Sequence, residues 1–208
     1  MAPSSERRLW PGSWPGHTVY LSPESLANAR ERAREQTAQY GHDSGYFSLG
    51  RQDSSHEIGV IGEVVVLEFL RTLKSTCVSN YQLGILGAQF DISMEHDGRA
   101  GGVHVKTGRY RAWPDPGQPF GVHFGQKLEM TAAGLILVSL LASDPGIARI
   151  EGIMRPNELA ECRILERGEA FPGRSYLSRT RNRLTFVKDY QPLSIESICG
   201  LIHPAHEG

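Results

Sequence analysis

The sequence predicts a mixed α/β domain, a central mostly mixed β-sheet flanked by α-helices. Two observations carry this expectation. Segments of helical apolar period alternate along the chain with segments of strand period. The run Leu135-Ile-Leu-Val-Ser-Leu-Leu141 is apolar but for one serine, as in a strand covered on both faces. With 208 residues, 39% of them hydrophobic and 22% charged, the chain can bury a core of its own. A single domain is expected over residues 18–202, with its core at about 57–153. A Pro/Gly-rich segment (1–17) precedes it and a short tail (203–208) follows. No internal repeat is present.

Taken in order, residues 18–21 suit a short strand. Ser22-Pro23-Glu24 is a helix start: a hydroxyl cap, a proline in the first turn and an acid at the positive helix end. That helix should run to Tyr40 and stop at Gly41, with Arg30, Glu31, Arg32, Arg34 and Glu35 on a solvated face. Residues 41–55 read as a loop. A second helix is expected over about 57–73, strands at 87–94 and 102–108, and a loop over the three prolines of 111–121. Strands at 135–141 and 147–153 follow, then a short helix from Pro156, a loop at 166–180, a strand at 184–187 and a helix at 194–201.

Composition narrows the function classes. Lys plus Arg is 22 and Asp plus Glu is 23, a net charge of −1, so the chain has no uniformly basic coat. Only four of the cations are lysines, so each lysine is an informative choice. Cys77, Cys162 and Cys199 are too scattered for a zinc site or a disulfide framework. No apolar run approaches the ~20 residues of a membrane span. Without a signal-peptide pattern at its start, the chain is expected to be a cytoplasmic protein.

The chemistry concentrates in the second helix and the hairpin after it. Glu63 has Gly59, Val60, Val66 and Leu67 three or four positions away, so a carboxylate sits in an apolar stripe and needs a partner. Glu68 has Arg71 beside it and reads as a surface residue. In the hairpin, Ala88, Phe90, Ile92 and Met94 alternate onto one face and Asp91 takes the other. Val103, Val105 and Thr107 likewise leave His104 and Lys106 together. Asp97-Gly98 is a strong two-residue turn signal. If it closes the hairpin, residue 96 faces 99, Asp91 faces His104 and Gln89 faces Lys106; a bulge at Gly101-Gly102 would shift this register. A carboxylate, an imidazole and a helix Glu are suitable ligands for a divalent cation, and a lysine beside them can help to deprotonate water. The layout is that of a phosphodiesterase; an ordinary cross-strand ion pair is the competing reading.

These residues resemble a known family. Gly59-Val-Ile-Gly-Glu63-Val-Val-Val-Leu-Glu-Phe-Leu70, Phe90-Asp91-Ile92 and Val103-His104-Val105-Lys106-Thr107 look like the PD-(D/E)xK nuclease superfamily, over about residues 57–141. The resemblance implies a restriction-endonuclease-like fold and Mg²⁺-dependent cleavage of phosphodiesters, usually in DNA. It implies Asp91 as a metal ligand, Lys106 as the water-activating lysine and Glu63 as the helix acid near the metal. One position departs: His104 stands where the family has Asp or Glu. His104 is then a metal ligand itself, favouring Mn²⁺, or the acid comes from elsewhere, or the site is inactive and the fold serves nucleic-acid binding. Glu95 shares the strand face but lies some 13 Å from Asp91 at about 3.3 Å per residue. Some members carry a Gln after the lysine strand, which makes Gln126 an auxiliary candidate.

The partner surface is sought in the last quarter. Residues 163–188 hold seven cations against Glu166 and Glu169, with Tyr176 and Phe186 interleaved. Arg174, Arg179, Arg181, Arg183 and Lys188 are the candidate nucleic-acid contacts. The expected function is a divalent-metal-dependent endonuclease acting on double-stranded DNA, in a defence, repair or mobile-element setting. A homodimer or a larger complex would suit such an enzyme. The alternative is an inactive, nucleic-acid-binding subunit of the same fold.

Overall fold

The computed structural model describes residues 16–40, 52–72, 80–83, 90–96, 99–123, 134–194 and 197–198. It is a mixed α/β structure: a six-stranded mixed sheet, curved as a half-barrel, packed against helices, with a small antiparallel sheet beside it. Strand β1 (His17–Tyr20) leads into α1 (Pro23–Tyr40), and α2 (Gln52–Thr72) follows. Then come β2 (Asn80–Leu83), β3 (Ile92–His96), β4 (Arg99–Tyr110), β5 (Pro119–His123), β6 (Gly134–Leu141) and β7 (Ile147–Met154). Helix α3 (Pro156–Glu161), β8 (Ile164–Leu165), β9 (Asn182–Phe186) and a 3-10 turn over Val187–Asp189 complete the order.

The large sheet runs β1-β7-β6-β4-β3-β2, and the small one β5-β9-β8. Among the described residues only β4 and β6 pair in parallel, with Lys106 beside Leu137. Residue alternation on these strands gives each face its own core. Val103, Val105, Ile136, Val138 and Ile150 pack under α1 and α2, whereas Leu135, Leu137 and Met154 pack with Leu159 of α3 and Val187 and Tyr190 beyond β9. The expected flanking by helices thus holds for one face. The other meets Val122 of β5 as well as residues of α3 and the 3-10 turn, because β5 breaks into the stretch read as a proline loop.

Helix boundaries follow local chemistry. Ser25 N–H donates to Ser22 Oγ at 3.0 Å, the expected cap of α1. In α3, Pro156 opens the helix and Arg155 N–H donates to the Glu158 carboxylate at 2.7 Å. Helix α2 begins at Gln52, ahead of the expected Glu57. Strand β2 was not foreseen, and β4 is longer than expected.

One close approach fixes the layers. A Cβ on Gly62 would fall 1.9 Å from Thr107 Oγ1, so α2 sits directly on β4 there. Within the sheet the β6·β7 register shifts between Leu137 and Val138. The extra residue, Glu151, is fully buried, and Arg149 Nε donates to both of its oxygens at 2.9 Å. Arg149 also donates to Pro114 O at 2.9 Å and lies 5.1 Å from the Trp113 ring centre. Desolvation raises the Glu151 pKa above the ordinary range, against the pull of Ser139 and Arg149.

If the α2–β4 contact is as tight as this, Gly62→Ala should destabilise the chain by about 1–3 kcal/mol in urea denaturation. Adding Thr107→Ala should recover part of the loss. An unchanged Gly62→Ala midpoint would show that the helix can lift off without cost.

Candidate active site

The β3·β4 ladder runs without a shift from His96–Arg99 to Ile92–Val103. Residues 97 and 98 lie outside the described residues, but this is the register their turn predicts, and Gly101-Gly102 hosts no bulge. Continued by one residue it sets Asp91 opposite His104. Asp91 stands just before β3, at a bend, and its carboxylate takes over as acceptor where the ladder stops: Val105 N–H donates to Asp91 Oδ2 at 2.7 Å. His104 Nδ1 approaches the same oxygen to 3.5 Å. The bend also redirects Phe90. It was expected beside Ile92 and Met94, but its ring lies against Gly102, where a Cβ would be 2.1 Å from it, and 6.0 Å from the His104 ring.

Lys106 follows on β4, on the face away from α2. Glu63 comes from α2, one residue past Gly62, so Glu63 and Lys106 flank the Gly62–Thr107 contact. Its neighbours Val60, Val66, Leu67 and Leu70 are buried, as the stripe predicts. The charges act on one another. Burial, then the Asp91 charge, raise Glu63 from 4.5 to about 7, although Arg32 and Lys106 pull the other way. Burial would raise Asp91 too, but His104, the Val105 N–H and Lys106 together hold it below its ordinary value. Desolvation lowers the Lys106 pKa, and the charges of Asp91 and Glu63 offset this only in part.

Arg32 is the participant that the sequence reading missed. It was assigned to a solvated face, yet it is partly buried and acts on Glu63 from α1. Its neighbours Ala29 and Ala33 are buried against α2, and these small residues were the available signal. Arg30 also reaches α2, with Nε 2.9 Å from Glu57. Glu68 pairs with Arg71 at 3.8 Å, as expected of a surface pair. Glu95 lies opposite Ala100, at the other end of β3 from Asp91.

The fit to a metal rests on the donor set. His104 Nε2 is buried and has no hydrogen-bond partner among the described residues, while Nδ1 faces a carboxylate, an arrangement common for a histidine whose Nε2 binds a metal. Asp91 and Glu63 disfavour each other's charge, which a cation would relieve. Even so, among the described residues no three His, Cys, Asp or Glu side chains are gathered closely enough to hold an ion. Asp91 and His104 form a pair, and Glu63 stands beside it. Gln126 lies outside the described residues.

The basic stretch is more internally engaged than its composition suggests. Arg181 Nε lies 3.0 Å from Glu166, and Arg163 lies 3.3 Å from Glu169. Arg183 donates to Ala160 O at 2.7 Å, and Arg174 donates to Gln118. Lys188 lies over the Phe186 ring at 5.6 Å. Arg179 is exposed. Among the described residues no helix is long and apolar enough to cross a membrane.

A carboxyl raised to about 7 stabilises the fold fully below 4.5, and the contribution is lost as pH rises through 7. In EDTA, Glu63→Gln should therefore match the wild type near pH 4 and exceed it at pH 8 by roughly 3 kcal/mol at most. Urea denaturation at the two pH values measures this; a gap independent of pH would mean that Glu63 is not desolvated. No protein-family model, no curated protein and no solved structure matches the chain.

Proposed function

We propose that the chain is a divalent-metal-dependent nuclease with a restriction-endonuclease-like core, cutting double-stranded DNA. The observation that carries this reading is the convergence of Glu63, Asp91, His104 and Lys106 where β3 stops pairing with β4. The mixed sheet supports it, and so does Asp91 at the start of β3.

Asp91 and Glu63, with His104 through Nε2, would hold Mg²⁺ or Mn²⁺. When bound, the ion would polarise a phosphate oxygen and acidify a water. The residues supply the rest. The Asp91 carboxylate is kept ionised and fixed by the Val105 N–H, and it turns the His104 ring. Lys106, its pKa lowered by desolvation, can give up and take back a proton at Nζ more readily than an exposed lysine. Arg32 favours the ionised form of Glu63.

A second reading has one observation in its favour. The absence of three gathered ligands among the described residues, with His104 in the acid's place, suits an inactive nucleic-acid-binding subunit. Cleavage divides the two. Wild type should nick plasmid with Mg²⁺ or Mn²⁺ and not in EDTA, and Lys106→Ala should lose at least about 100-fold. Mn²⁺ should also raise the melting temperature of the wild type, but not of Asp91→Ala. No cleavage by the wild type, with that shift intact, would favour the binding subunit; no shift at all would defeat the metal site. His104→Ala should abolish Mn²⁺-dependent cleavage, and unchanged cleavage would remove His104 from the ligands.

A further inference from the structure

Between β8 and β9 the chain, read from sequence as a loop, makes a built excursion. Gly168 N–H donates to Ser178 O at 2.8 Å and Ser178 N–H to Glu169 O at 2.7 Å; Ala170 bridges Leu177. Phe171-Pro172-Gly173-Arg174 closes the tip, with Arg174 N–H donating to Phe171 O at 3.0 Å and Gly173 at φ +68°. Proline second and a left-handed glycine third are the residues that a type II turn needs.

The hairpin is held at both ends. At its base, Asn182 Nδ2 donates to Ser178 Oγ and Thr180 O, both at 2.8 Å, and Ser178 is buried. Towards the tip, the Phe171 ring lies against Gly121 of β5, where a Cβ would be 2.9 Å away, and Arg174 is tied to Gln118. Yet this braced ribbon leaves one large apolar side chain in water: Leu177 is 58% exposed, on the opposite face from Tyr176, whose ring lies 5.1 Å from that of Phe171. Arg167 and Arg179 flank its base, one on each leg. Both are exposed and, unlike Arg163 and Arg181, have no carboxylate partner among the described residues.

We propose that hairpin 168–178 enters the major groove of a DNA duplex, Leu177 meeting base edges and Arg167 and Arg179 the phosphates. The proposal rests on the nucleic-acid reading above and adds to it the element that reads the duplex. A two-stranded ribbon fits the major groove of B-form DNA, whereas that of duplex RNA is too narrow for side chains to read. Apolar side chains contact thymine methyl groups there, and arginines hold the register through phosphates. A preformed ribbon also avoids the ordering cost of a flexible loop.

The test is fluorescence anisotropy with the full chain, a 20-base-pair DNA duplex and an RNA duplex of the same sequence, in EDTA across a salt series. Arg167→Ala/Arg179→Ala should bind DNA at least about tenfold more weakly and lower the slope of log affinity against log salt by about 2. Leu177→Ala should weaken DNA binding by about tenfold with the slope unchanged. These three side chains are exposed, so melting temperatures should match the wild type. If both variants bind DNA as the wild type does, or lose equally on RNA, the hairpin assignment falls and the nuclease reading stands. If the wild type binds no duplex, both fall together.

Discussion

Helix α2 can lie on β4 only because residue 62 has no side chain. A Cβ there would overlap Thr107, and the next residue outward on each element is a charged one, Glu63 on the helix and Lys106 on the strand. The contact sets the spacing of the two layers at the level of the site. It also explains why Glu63 is held in an apolar stripe: Val60, Val66, Leu67 and Leu70 clamp the helix at a depth where the acid of that stripe feels the charge of Lys106 on β4. The site is therefore a consequence of layer packing, with the strand pairing supplying the second acid.

The electrostatics describe a site under tension. Three ionisable groups have lost water, and their mutual attractions do not make up for it: Glu63 is raised to about 7 and Lys106 is lowered, although they are near one another. Asp91 escapes because a backbone N–H and an imidazole hold its charge. Opposed perturbations of this kind are costly for a fold and useful for proton transfer, and they mark functional sites more often than structural ones. The Arg149–Glu151 pair, also buried, is a useful contrast. There an arginine meets both carboxylate oxygens and a serine stands by, as a structural pair requires.

Local features were legible in the sequence. Asp97-Gly98 gave the β3·β4 register and with it the Asp91–His104 juxtaposition. Helical period placed Glu63 in its stripe, and the apolar run placed β6. What escaped depended on distant partners. Arg32 looked solvent-facing because only the packing of α1 on α2 brings it to Glu63. Strand β5 looked like part of a proline loop because its pairing partner, β9, lies some sixty residues on. Phe90 departed from strict alternation because β3 begins only after the bend at Asp91, so the pleat does not extend back to it. The basic stretch was read by counting, but carboxylates inside the stretch engage two of its arginines.

Strand β1 pairs His17 with Ile150 and Tyr20 with Ile147, so the outer edge of the sheet joins the chain's beginning to a segment made much later. Closing so long a loop is slow, and its contacts yield nothing until β7 exists. The four residues of the candidate site all lie between 63 and 106, on elements that contact one another directly. During synthesis these elements are thus made before β7, while β1, which already touches α2 through His17 and Phe69, has yet to meet its pairing partner. A lesion in β1 or β7 would then slow closure and lengthen the life of an intermediate with an uncovered edge, while leaving the arrangement around Asp91 largely formed.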